Sequence, residues 1–207
     1  MNGHLVLFLV LEHCPGRIID KSRKEWILGA IQTRNLNFLR ILNETTRPFI
    51  TQAKEFLELA AGIENNMPIM QYLISLNCLI DPFKAMLAAV KNEALYNLQW
   101  LERNGFPIED SHRLIEMAAR TENNIPMIEY LISQNCPISH FCTLQSAAKN
   151  GALNNLKWLL KNGISIDNRG TFQQLLFGCP LDMIKWLFEN GYPIGTPIII
   201  PKENDSI

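Results

Sequence analysis

The chain has no surplus of either charge. Its 207 residues carry 19 Lys and Arg against 20 Asp and Glu, a formal net charge of −1. Such a balance provides no broad electropositive footprint, so neither nucleic acid nor a membrane surface is an expected partner. Paired cysteines are lacking as well. The five cysteines, at positions 14, 78, 136, 142 and 179, are odd in number and share no paired spacing. They read as reduced thiols and imply a cytoplasmic protein without a disulfide framework. No apolar run reaches bilayer length; the opening MNGHLVLFLVLEHC is apolar only over residues 5–11. That opening also lacks a Lys or Arg before the run and a small-x-small site after it, so it does not read as an export signal. Two glycosylation triplets, at Asn43 and Asn204, matter only inside the secretory pathway.

Catalytic signatures are missing too. There is no G-x-S-x-G, P-loop, H-E-x-x-H or dinucleotide fingerprint. The four histidines, His4, His13, His112 and His140, are scattered, and none stands at a spacing that implies a relay. Cys136, His140 and Cys142 come nearest to a metal set. Their C-x₃-H-x-C spacing lacks a fourth ligand and is not a zinc pattern. The chain therefore reads as a non-enzyme without metal or cofactor. Two alternatives stay open, an enzyme or metal-dependent site hidden in the array and a fragment of a longer repeat protein.

What the chain has is repetition. Residues 57–81 read LELAAGIENNMPIMQYLISLNCLID, and residues 115–139 read IEMAARTENNIPMIEYLISQNCPIS. Between and after them stand MLAAVKNEALYNLQWLERNGFPIED and LQSAAKNGALNNLKWLLKNGISID. The shared frame is an Ala-Ala pair, a polar turn, an apolar helix bearing an aromatic, then Asn followed by Gly or Cys. First alanines at 60, 88, 118 and 147 are spaced 28, 30 and 29, and the aromatics Tyr72, Trp100, Tyr130, Trp158 and Trp186 are spaced 28, 30, 28 and 28. A period in this range implies stacked units, because one unit cannot bury its own apolar face. Each unit predicts two helices. Asp110 or Ser111 suits a cap for a first helix running to about Arg120. Pro126 fits the first turn of a second helix, and Asp81-Pro82 shows the same start signal. Cys78 and Cys136 fall where the glycines Gly105, Gly163 and Gly191 cap sister copies. The aromatic slot, always followed by Leu, predicts inter-repeat core rather than a stacking platform. The Asn-rich turns at Asn65-Asn66, Asn123-Asn124 and Asn154-Asn155 read as helix capping.

These units resemble ankyrin repeats. The likeness rests on AAKNGALNNLKWLLKNG (147–163) and AAVKNEALYNLQWLERNG (88–105), which match the family's AA…G-x-L…LL…G frame. The T-P-L-H start of the family is absent from every copy, and the units run 28 to 31 residues. The missing residues lie where the family makes its projecting hairpin. The resemblance thus implies an all-α, ankyrin-like solenoid of about six helix-turn-helix repeats plus an N-terminal half repeat, with β-hairpin fingers shortened or absent. Residues 1–195 form one repeat domain, with second helices near 4–13, 35–43, 67–76, 94–103, 125–134, 153–161 and 181–189. Residues 196–207 are an extended or disordered tail. Short tryptophan-bearing copies with L-K-W-L-x-x-N-G look most like the arrays of large DNA viruses and protists.

Such a resemblance implies a non-catalytic interaction module that binds another protein on the concave face. A viral or protist source would make it a host-directed adaptor working in the host cytoplasm. Residues at or before the first helices, outside the apolar frame, are the candidate contacts: Lys54, Glu55, Phe83, Lys84, His112, Arg113, Glu116, His140, Phe141, Arg169 and Phe172. Phe83, Phe141 and Phe172 equally fit local packing against the next helix. The opening segment is in phase with the repeats, with Val10 in the aromatic slot, and reads as a second helix without its first. A helix apolar all round expects cover on both sides, which implies self-association through this half repeat, a docked partner, or further residues.

Overall fold

The computed structural model describes residues 19–52, 54–108, 112–165 and 174–192. Among them the chain is all-helical, with no strand. The helix expected over 4–13, the caps at Asp110 and Ser111, Arg169, Phe172 and the tail lie outside the described residues. The chain divides into two units, Met1–Pro107 and Ile108–Ile207. The first holds α1 (Ile19–Gln32), α2 (Leu36–Gln52), α3 (Glu55–Ala61), α4 (Met67–Ser75), α5 (Pro82–Lys91) and α6 (Leu95–Arg103). The second holds α7 (His112–Arg120), α8 (Ile125–Ser133), α9 (His140–Lys149), α10 (Leu153–Lys161) and α11 (Leu181–Glu189).

The first helices form because four positions recur at i, i+1, i+4 and i+5, one face of a helix. In α3 these are Phe56, Leu57, Ala60 and Ala61; in α5, Ala85, Met86, Ala89 and Val90. In α7 they are Leu114, Ile115, Ala118 and Ala119, and in α9, Thr143, Leu144, Ala147 and Ala148. All are buried. The small pair lets backbones approach, so α3 packs against α1 and α5, and α7 against α9. The structure corrects the register at one point. Ala89, fully buried, and not half-buried Ala88, is the partner of Ala60, Ala118 and Ala147. The helices α3, α5, α7 and α9 thus recur evenly every 29 residues. The uneven 28 and 30 of the aromatics arises in the turns: five residues separate α3 from α4, but three separate α5 from α6.

Asp81 caps α5 by accepting the Lys84 N–H at 3.1 Å, and Ser139 caps α9 through the Cys142 N–H at 3.4 Å. The second helices stop on a left-handed residue: Asn77, Gly105, Asn135, Gly163 or Gly191, with φ between +52° and +87°. The following N–H reaches back to a carbonyl inside the helix, as from Phe106 to Leu101 at 3.2 Å and from Cys136 to Leu131 at 3.0 Å. Cys78 and Cys136 therefore do not replace the glycines. They stand one residue later, buried in the slot of Phe106 and Ile164, where such a cap takes an apolar contact. Asn77 and Asn135 are the left-handed residues, since Asn tolerates that region better than most. The second helix α2 departs from this pattern and runs on to Gln52, past the expected end at 43. Its register position for the left-handed residue is Thr46, a β-branched type that region disfavours, so nothing stops the helix there.

The aromatic ladder is also placed differently from the expectation of core. Tyr72, Trp100, Tyr130, Trp158 and Trp186 are all half-buried. The residue before the slot in one repeat lies over the ring of the next: the Arg40 guanidinium is 5.7 Å from the Tyr72 centroid, and the Lys157 ammonium 5.2 Å from Trp186. The rings form the outer rim of the repeat contact, and Leu73, Leu101, Leu131 and Leu159 behind them are fully buried.

Candidate functional site

Two sets of polar residues stand out, one inside the repeat junctions and one at the starts of the first helices. The inner set is a series of buried asparagines. Asn97, fully buried in α6, donates from Nδ2 to the Ile63 carbonyl at 2.6 Å and the Ala61 carbonyl at 2.9 Å. Asn155, fully buried in α10, donates to Thr121 at 2.6 Å, Ala119 at 3.0 Å and Ala118 at 3.4 Å. These carbonyls close the first helix of the preceding repeat, where four C=O groups have no partner within their own helix. In the neighbouring copy the register position holds apolar Ile69 or Met127. There Asn66, just before α4, makes longer contacts of 3.4 Å with the Ile31 and Ala60 carbonyls.

A carboxylate completes each longer turn. Glu122 accepts the Asn154 N–H at 3.2 Å, near the start of α10, whose own cap position is the unhelpful Ala152. Glu64 accepts the Tyr96 N–H in the same way before α6, where Ala94 stands at the cap. Each glutamate thus caps a helix of the following repeat. Glu64 has its other oxygen, Oε2, buried without a hydrogen-bond partner. Desolvation pushes its pKa above the ordinary carboxyl value, against the opposing Tyr96 N–H and Arg34 charge. Gly62 in this turn sits where a Cβ would come within 2.8 Å of the Asn92 amide nitrogen, so only glycine fits without displacing that side chain.

The outer set holds the residues expected to meet a partner. Lys54 is exposed in the turn before α3. Glu55 is held 2.6 Å from the Lys24 ammonium of α1, and that hydrogen bond draws its pKa below the usual carboxyl range. Lys84 is exposed and lies 3.7 Å from the Asp81 carboxylate within its own helix start. Phe83 is half-buried. In the second unit His112 and Arg113 are exposed, with His112 Nε2 3.7 Å from Glu116 Oε1, too long for a hydrogen bond. His140 is exposed, its Nδ1 3.1 Å from the Ser165 carbonyl, and Phe141 is half-buried. Lys24 and Glu55 are therefore joined across two helices, while Lys84 pairs within its own turn. Lys24, Glu64 and Asn97 were absent from the sequence-based set, and Asn155, expected to cap a helix, lies buried inside α10 instead. A polar residue inside an apolar stripe was the available signal for the two asparagines.

Burial pushes the Cys78 thiol up to about 11 and raises those of Cys136 and Cys179, which keeps all three poorly nucleophilic. Among the described residues no group of three or more His, Cys, Asp or Glu is placed to hold a metal ion. No helix there is long and apolar enough to cross a membrane. Asn43 of the first glycosylation triplet is 5% exposed inside α2, out of reach of modification in the folded chain. No protein-family model and no curated protein matches the chain.

Proposed function

We propose that this chain is a short-repeat solenoid of ankyrin type that captures another protein along the starts of its first helices. The observation that carries this reading is the even 29-residue recurrence of α3, α5, α7 and α9, with their buried positions shared. Residues outside the shared frame differ from copy to copy: one register position holds Glu55, Lys84, Arg113 and Cys142, and the one before it Lys54, Phe83, His112 and Phe141. A scaffold that holds its backbone by repeated buried contacts is free to vary that edge, and the edge then encodes the partner. The raised thiol pKa values argue against Cys78, Cys136 and Cys179 as nucleophiles. A host-directed adaptor is the role this module fits if its source is a virus or protist.

The test is charge reversal at the edge, Lys84→Glu, Arg113→Glu and Arg169→Glu together, in quantitative affinity capture from the source cell. The reading expects loss of the captured protein with an unchanged melting temperature. Capture that is undiminished rejects this surface.

A further inference from the structure

Asparagine followed by glycine is the pair in which a side-chain amide is most open to attack by the next backbone nitrogen, because glycine has no side chain to hinder the approach. Four such pairs lie among the described residues, Asn104-Gly105, Asn150-Gly151, Asn162-Gly163 and Asn190-Gly191. Each stands just past the end of a helix, and the cap uses both reacting groups. The asparagine Nδ2 donates to the carbonyl four residues back, at 2.7 Å for Asn104 and 2.8 Å for Asn150, Asn162 and Asn190. The glycine N–H donates to the carbonyl three residues back, at 3.0 to 3.3 Å. With the amide tethered and the nitrogen engaged, ring closure waits for the cap to open.

The four caps differ in what holds them shut. Asn150 is held most firmly: its Oδ1 accepts from the Arg120 guanidinium at 3.4 Å, and the Pro180 Cγ lies 3.6 Å from where a Cβ on Gly151 would stand. Nothing comes within 4 Å of that point at Gly105, Gly163 or Gly191. Of these three, Gly191 closes the least covered helix. Ile184 of α11 is half-buried, where its counterparts Leu98 in α6 and Leu156 in α10 are no more than 1% exposed. Leu181 is 58% exposed and Phe188 67%. Little packing has to break for the end of α11 to open, and elements with few buried apolar contacts open most readily.

We propose that Asn190 is a deamidation site of the folded chain, and that its conversion undoes the cap of α11. In the open cap the Gly191 nitrogen bonds to Asn190 Cγ, the Cγ–Nδ2 bond breaks, and the displaced proton leaves with the nitrogen as ammonia. Water then opens the cyclic imide at either carbonyl to give aspartate or isoaspartate, with no change of oxidation state. Aspartate replaces the Nδ2 donor with a carboxylate that repels the Trp186 carbonyl, and it sets negative charge at the negative end of the helix dipole. Isoaspartate inserts an extra backbone methylene just before Gly191, whose φ of +75° forms the cap. Either product loosens α11 and leaves the earlier helices as they were, so the pair acts as a clock on the last repeat.

The experiment ages the full chain in mildly alkaline buffer, folded and in urea, and follows the four asparagines by peptide mass spectrometry. Trypsin places each pair in a separate peptide. In the folded chain Asn190 should convert several-fold faster than Asn104 and Asn162, with Asn150 the slowest, and urea should bring the four rates together. Hydrogen exchange of the α11 amides should be several-fold faster in Asn190→Asp than in the parent, while those of α7 and α9 stay protected. Conversion of Asn190 no faster than that of Asn162 in the folded chain, the same spread of rates in urea, or unaltered α11 exchange in Asn190→Asp would each overturn the proposal.

Discussion

Asn155→Ala should cost about 2–4 kcal/mol of unfolding free energy, a large loss for a residue that touches no solvent. The figure follows from what the side chain holds. Its Nδ2 donates to the Thr121 and Ala119 carbonyls at 2.6 and 3.0 Å. The Thr121 carbonyl retains a backbone partner, the Asn124 N–H at 3.3 Å, so its loss is the ordinary ~1 kcal/mol of one hydrogen bond. The Ala119 carbonyl closes α7 inside the protein and would be left bare, at a further ~1–3 kcal/mol. Typical domains have only about 5–15 kcal/mol in total, so the variant should unfold at visibly lower urea. Circular dichroism through a urea titration measures it. Asn155→Leu separates the two causes, because it restores apolar volume but not the donor. It should remain destabilised by about 1–3 kcal/mol through the bare carbonyl. The neighbouring Asn154→Ala, at an exposed side chain, should stay within about 0.5 kcal/mol of the parent. An Asn155→Leu chain as stable as the parent, or more so, would refute the idea that these asparagines tie successive repeats.

Thr143 gives the opposite sign. Its hydroxyl is fully buried in α9 without a hydrogen-bond partner, at the position of Leu114 and Phe56, so Thr143→Val should raise stability by about 1 kcal/mol in the same titration. Glu64 supplies the pH dependence. Its folded pKa is raised, so its favourable contribution is complete below the ordinary value near 4.5 and is lost as pH rises through the folded value. Glu64→Gln, whose amide oxygen still accepts the Tyr96 N–H, should melt higher than the parent at neutral pH, with the difference closing in acid. Scanning both proteins calorimetrically from acid to neutral pH would expose an error if the gap instead widened in acid.

The all-helical class was legible because each unit writes its own signals. Asp81-Pro82 caps and opens α5, and Pro126 stands in the first turn of α8. The Asn-Gly pairs stop α6, α10 and α11. Register within a unit was harder to read. Three alanines and valines in a row, Ala88-Ala89-Val90, do not say which pair faces inward, and only the packing of α5 against α3 chooses Ala89. The cysteines misled for a related reason. Placed beside an asparagine, they looked like cap residues, yet the left-handed backbone falls on the asparagine and burial on the thiol. Of the candidate edge, exposure at Lys54, Lys84, Arg113 and His140 could be read from the polar side of each helix. Glu55 could not, because its partner Lys24 is 31 residues away in another helix. Long-range pairs of exposed groups leave no periodic trace in a single sequence. The asparagine ties leave only a weak one, a polar residue recurring in an apolar stripe.

The proposed solenoid requires interchangeable repeats, each held by its neighbours and not by one shared core. Removing residues 57–114, which joins Phe56 to Ile115 in register, tests it most directly by circular dichroism and urea unfolding. The account predicts a shorter protein with undiminished helicity per residue, a single cooperative transition and a lower midpoint, since two repeats and their contacts are gone. Loss of helical signal, or a transition without cooperativity, would contradict it and point to a core that depends on the whole chain.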